Sequence, residues 1–164
     1  MASAPRIFTK LTKVLFAELC KAGHLNTSYI EDSFLIASSE QECQRNVIDI
    51  VEISKRAGFV VHRTKSVLQP TQCIAYLGFW LDSVNMTVKM KQEKIEKLKV
   101  ACQVLLETET VSIQLLAQAI GRMVASFPGV QYGQLFYRRC DNLKNEALKV
   151  HKGNYAAKIT EMVD

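Results

Sequence analysis

Apolar positions along the chain change their period four times. From Pro5 to Ala22, Ile7, Leu11, Val14, Leu15 and Leu19 recur at the spacing of one helical face, and Gly23 follows as a C-terminal stop. Leu25 to Ile30 and Ser33 to Ala37 read instead as paired strands. Helical spacing returns after Ser39, which with Glu42 forms a capping box; Cys43, Val47, Ile50, Val51 and Ser54 continue one face to Ala57, and Gly58 ends it. A short strand over Phe59 to Val61, a loop broken by Pro70, and a second hairpin from "CIAYLGFWLD" through "SVN" to "MTVKM" complete the first part.

After Met90 the pattern is helical only. Ile95, Leu98, Cys102 and Leu105 form one stripe, with Lys91, Lys94, Lys97 and Lys99 largely off it. Leu116, Ile120, Met123 and Phe127 form another, entered through Ser112 and stopped by Pro128 and Gly129. Residues 131 to 149 read as a third helix interrupted early by Gly133. The order helix, hairpin, helix, strand, hairpin followed by helices predicts an α+β fold, with helices covering antiparallel hairpins and an all-helical part after them.

Composition narrows the classes. At 164 residues and 48% hydrophobic, the chain is long and apolar enough for a real core, and no apolar run is long enough to cross a membrane. The first ten residues lack the layout of a signal peptide. Cys20, Cys43, Cys73, Cys102 and Cys140 are odd in number and form no C-x-x-C, against a disulfide framework or a zinc site, so reduced thiols in the cytoplasm or nucleus are expected. His24, His62 and His151 suggest no metal site or triad and read as surface residues. Of the net charge of +5, residues 1 to 85 hold +1, residues 86 to 152 hold +5 and the last twelve −1. A basic helical part beside an acidic site suits a polyanion, or is only a solvated face.

That acidic site lies at the tip of the first predicted hairpin, where Glu31 and Asp32 stand side by side between apolar runs in "NTSYIEDSFLIASS". Turn tips favour Gly, Asn or a single Asp, so two adjacent carboxylates there point to a place where carboxylates are needed together, against the plainer reading of a solvated turn.

Taken in order, "SAPRIFTK", "YIED", "GFVVHRTKS", "YLGF" and "VSIQLLAQAIGRMVASFPGVQYGQLFYRR" resemble segments of reverse transcriptases, and the wording is closest to retrotransposons that use a tyrosine recombinase. The resemblance implies a partial palm over residues 1–90, a helical thumb over 91–152 and a tail over 153–164 leading toward a further region. By it, "YIED" is the acidic catalytic hairpin, with Asp32 and Glu31 as ligands of magnesium or manganese, and Tyr29 lies under the primer terminus. Ser3, Ala4, Pro5 and Phe8 belong to the nucleotide pocket, and Lys65 is a basic residue near the incoming phosphates, able to act as a general acid. Tyr76, Leu77, Gly78 and Phe79 hold the primer backbone, Gly78 allowing close approach because it lacks a Cβ. Lys91, Lys94, Lys97, Arg122, Arg138 and Arg139 are the expected phosphate contacts. Trp80 is expected to pack in the hairpin or core rather than to stack on bases.

Two departures qualify this. Where the family pattern has Asp, this chain has Glu31, whose extra methylene displaces the carboxylate in a metal geometry that tolerates little displacement. The family's third metal-binding Asp lies upstream of the segment that begins here at Ser3. The implied partners are a primer–template duplex of RNA or DNA and a deoxynucleoside triphosphate, with a partner chain supplying missing palm strands as one route to completion. The expectation is therefore a polymerase fragment inactive alone. Two alternatives stay open: a non-catalytic nucleic-acid-binding module, and a remnant or helical interaction domain without chemistry.

Overall fold

The computed structural model describes residues 3–160 as an α+β chain of two compact units that divide between Gln72 and Cys73. The sequence placed its subdomain boundary later, at 90/91.

The first unit packs two helices with one hairpin. Helix α1 spans Ala4–Lys21, strands β1 and β2 span Leu25–Tyr29 and Asp32–Ile36, and helix α2 spans Glu40–Arg56. Each helix packs on one strand of the hairpin and on the other helix. Both helices end in a Schellman motif: His24 N donates to Leu19 O at 3.0 Å after α1, and Phe59 N to Ser54 O at 2.9 Å after α2. The predicted capping box forms in altered shape. Ser39 Oγ accepts from Glu42 N at 3.2 Å, but the Glu42 carboxylate reaches past Ser39 to accept from Ser38 N and Oγ. These bonds hold the Glu42 carboxyl below its usual range.

The strand expected at Phe59 to Val61 does not form. Phe59 spends its N–H on the helix-closing bond, and its ring meets Phe8 edge-on at 5.8 Å. Val60 is left almost fully exposed.

In the second unit a three-stranded antiparallel sheet has the order β3, β4, β5, formed by Cys73–Tyr76, Phe79–Asp82 and Thr87–Met90. The β4–β5 connection runs from Ser83 to Met86, one residue longer than "SVN", because Asp82 pairs with Thr87 and Met86 takes a left-handed φ of 51°. Asp82 Oδ1 accepts from Val84 N and Asn85 N and fixes this turn. Helix α3 (Gln92–Glu107), the short strand β6 (Val111–Ser112) and helix α4 (Ile113–Ser126) follow. A 3₁₀ turn at Phe127–Gly129 realises the stop predicted there. The expected third helix is two: Gly133 begins α5 (Gly133–Phe136) instead of interrupting it, and α6 (Arg138–Val150) starts after a break at Tyr137.

The core of this unit gathers Ala101, Leu105, Val111, Leu116, Ala119 and Ile120, with Leu143, Cys140 and Tyr137 packed against it. The segment expected to trail away as a tail folds back in its described part. Lys158–Ile159 forms strand β7 against β6, and Ile159 packs on the core. Its carbonyls also solve the problem of a helix start, where N–H groups lack intrahelical partners. Ala157 O accepts from Ile113 N at 3.0 Å and Tyr155 O from Gln114 N at 2.9 Å, while Ser112 Oγ takes Leu115 N at 3.2 Å.

Gly129 docks the sheet. A Cβ there would lie 2.8 Å from Met90 Cγ, 3.0 Å from the Phe79 ring and 3.1 Å from Met90 N, so only glycine allows this approach of the 3₁₀ turn to β5.

Candidate functional site

Tyr29 pairs with Asp32 across the end of the first hairpin, leaving Ile30 and Glu31 as its two turn residues. Ile30 takes a φ of 54°, the left-handed region, at the first turn position, where a type II′ turn usually has Gly. For a β-branched residue this is an outlier, costing about 1–3 kcal/mol, of the kind found where local conformation serves a site. Asp32 is thus the first residue of β2, and the turn lies one position before the Glu31–Asp32 tip that the sequence suggested. Glu31 and Asp32 are exposed, and Tyr29 is 58% exposed beside them, a large aromatic left outside the core.

Two carboxylates are not a two-ion centre. Among the described residues no group of three or more His, Cys, Asp or Glu side chains stands together in a way that could hold a metal ion. The donor set at this tip therefore does not fit the magnesium or manganese pair that the resemblance implies.

The residues expected to shape a nucleotide pocket open α1 instead. Ser3 O accepts from Ile7 N at 3.0 Å, Pro5 stands in the first turn, and Ser3, Ala4 and Pro5 are exposed. Phe8 is half-buried by its contact with Phe59. Lys65 is exposed, in a turn closed by its N–H on His62 O at 3.1 Å.

In the second unit the turn between β3 and β4 is Leu77–Gly78, closed by the Tyr76–Phe79 pair. Both turn residues have positive φ, 47° and 82°, the requirement of a type I′ hairpin. Gly78 is not left open for an approaching backbone, because the Lys94 stem lies against it, with Cδ 3.2 Å from where a Cβ would stand. Lys94 Nζ sits 3.7 Å from the centroid of the Phe79 ring, and burial pushes its pKa below the usual lysine value. Lys94 is thus a packing residue of the hairpin and not an extended phosphate contact.

Phe79 and Trp80 exchange their expected places. Successive strand residues face opposite sides, so once Phe79 points to Gly129 and is buried to 7% exposure, Trp80 must point outward, and it is 46% exposed. The Phe79 side chain is therefore unable to touch a primer. Tyr76 is half-buried and Leu77 exposed.

The remaining cations differ in their engagements. Lys91 Nζ lies 5.5 Å from the Trp80 ring centroid, and Lys97 is ion-paired with Glu93. Arg122 is exposed on α4, and Arg138 and Arg139 are exposed in the first turn of α6. His24 departs from its expectation as a surface residue. Its side chain is 16% exposed and Nε2 lies 2.8 Å from Asp49 Oδ2, tying the start of β1 to α2.

Among the described residues no helix is long and apolar enough to cross a membrane. Set against known proteins, the chain matches no family model, no curated protein and no solved structure.

Proposed function

We propose that this chain is a palm-and-thumb segment of a retroelement reverse transcriptase, and that the segment by itself binds a primer–template duplex without extending it. The observation that carries the reading is the hairpin tip Tyr29-Ile30-Glu31-Asp32, in which a strained β-branched residue holds a tight turn with two carboxylates and an exposed tyrosine. The order of the other matching segments along the chain supports the same reading, as do the exposed Arg122, Arg138 and Arg139, which lie in the stretch 86 to 152 that holds a net charge of +5. The absence of chemistry in the segment alone follows from two carboxylates where template-directed nucleotidyl transfer uses a metal pair held by more.

The test joins binding and extension. A labelled RNA–DNA or DNA duplex should bind at low salt, and with about three phosphate contacts its affinity should fall roughly 40-fold between 50 and 200 mM salt. Primer extension by the 164-residue chain should stay at background with deoxynucleoside triphosphates and magnesium or manganese, and Glu31→Asp should not restore it. No duplex binding at low salt would refute the grip. Extension lost on Asp32→Asn would refute the lack of chemistry and make Asp32 catalytic.

A further inference from the structure

We propose that Trp80, with Lys89 and Lys91 beside it, forms a stacking site for an unpaired base on the outer face of the β3–β4–β5 sheet; this rests on the nucleic-acid reading above and assigns a place on the second unit where a single strand is held. Trp80 is the only tryptophan of the chain and is 46% exposed, although the opposite face of the same strand offers a buried position at Phe79. Its cross-strand neighbours are Ala75 on β3 and Lys89 on β5. The small Ala75 leaves the ring uncrowded on one side, and Lys89 is exposed on the other.

Lys91 adds a second cation, its Nζ over one face of the ring at 5.5 Å from the centroid, so a base would stack on the other face. The acid on this face, Asp82, is committed to the turn. It accepts from Val84 N at 2.9 Å, Asn85 N at 3.0 Å and Asn85 Nδ2 at 2.8 Å; these bonds fix its position and keep it ionised near Lys89, as Glu93 is near Lys91, so the lysines meet phosphates on a face that also carries carboxylates. An exposed aromatic flanked by cations on a sheet is the arrangement that takes single strands: bases stack on the ring and phosphates meet the lysines, without regard to sequence. Bases inside a duplex are already stacked on each other, so the ligand is an unpaired nucleotide.

With one tryptophan in the chain, its fluorescence reports this site alone. Adding short oligo-dT should quench and saturably titrate the Trp80 signal, more weakly as salt rises, while a blunt duplex that binds by anisotropy should leave the signal unchanged. Lys89→Gln with Lys91→Gln retains the reporter and should weaken the quenching titration about tenfold or more, since two phosphate contacts are lost. Trp80→Ala, checked for folding by circular dichroism, should weaken oligo-dT binding in anisotropy by about five- to a hundredfold. Oligo-dT binding without quenching, or equal quenching by the duplex, would overturn the stacking site and leave the duplex reading standing. Failure of both single strand and duplex to bind would overturn both. A tryptophan shift that grows with protein concentration in the absence of oligonucleotide would give the face to a second copy of the chain and overturn the proposal.

Discussion

The two units bury different kinds of side chain. In the second, nearly everything buried is apolar, from Phe79 through Leu105, Val111, Ile113 and Leu116 to Ile120 and Ala147, with Ser126 the polar exception among the described residues. In the first, Leu19 and Ile50 share the interior with Thr12, Asn46 and Ser54. Thr12 Oγ1 donates to Phe8 O at 3.1 Å, but neither side-chain atom of Asn46 has a hydrogen-bond partner although the residue is 1% exposed. Apolar burial is the main source of stability and an unpaired buried amide subtracts from it, so the unit with the acidic hairpin is the less consolidated of the two, although Thr87 Oγ1 in the second unit is also buried without a partner. The strained turn thus sits on the softer scaffold, and the aromatic and basic face on the firmer one.

Breaking the firmer core should have the largest effect. Leu116 is fully buried at the centre of that cluster, so Leu116→Ala should cost about 2–5 kcal/mol in urea unfolding followed by helical circular dichroism. A loss below 1 kcal/mol would mean that the contrast between the interiors is not one of stability.

Gly129→Ala comes next. The new methyl must displace Met90 and the Phe79 ring, and because one of the atoms in its way is backbone, a cost of about 1–3 kcal/mol is expected. The same variant should alter Trp80 fluorescence by loosening the sheet that presents the ring.

In the softer unit the sign reverses. Asn46→Leu removes the unpaired amide while keeping the branch at Cγ and should, net of its bulkier methyl groups, stabilise by about 1 kcal/mol. Hydrogen exchange should show slower amides in α2 of this variant and no change in α4. Destabilisation would reveal a partner for Asn46 in solution.

The smallest effect concerns pH. Hydrogen bonds from Ser38 depress the Glu42 carboxyl in the folded state, so its contribution is present above the unfolded carboxylate value and lost as pH falls through the lower folded one. Glu42→Gln should therefore lower the urea midpoint slightly at neutral pH, and the difference from the parent chain should close in acid. A difference constant with pH would assign the effect to the side chain's shape and not its charge.

How far the molecule was legible beforehand differs by range of interaction. Helix ends at Gly23 and Gly58 and the caps at Ser39 and Ser112 follow from residues within a few positions of each other and were readable as patterns, whereas the first hairpin turns one residue earlier than expected and "CIAYLGFWLD", read as one run, turns at Leu77–Gly78. The paired acids were readable too, though not that Ile30 carries the strain of the turn beside them. Trp80 could have been assigned outward from the period-two alternation once Phe79 was taken inward, but the sequence has no local sign of which face β4 buries. That choice depends on Gly129, fifty positions later along the chain.

What the sequence by itself determined, then, is the α+β class, the helix ends and caps, the paired acids and the basic second half. Only tertiary structure decided that Lys94 lies over Phe79 instead of reaching outward, that Phe59 closes a helix instead of starting a strand, and that residues 155 to 159 return to cap α4. The physical reason is one of reach. Propensity, capping and periodicity act within a turn or two of helix, whereas burial and register are set by partners whose separation in sequence leaves no mark on the local pattern.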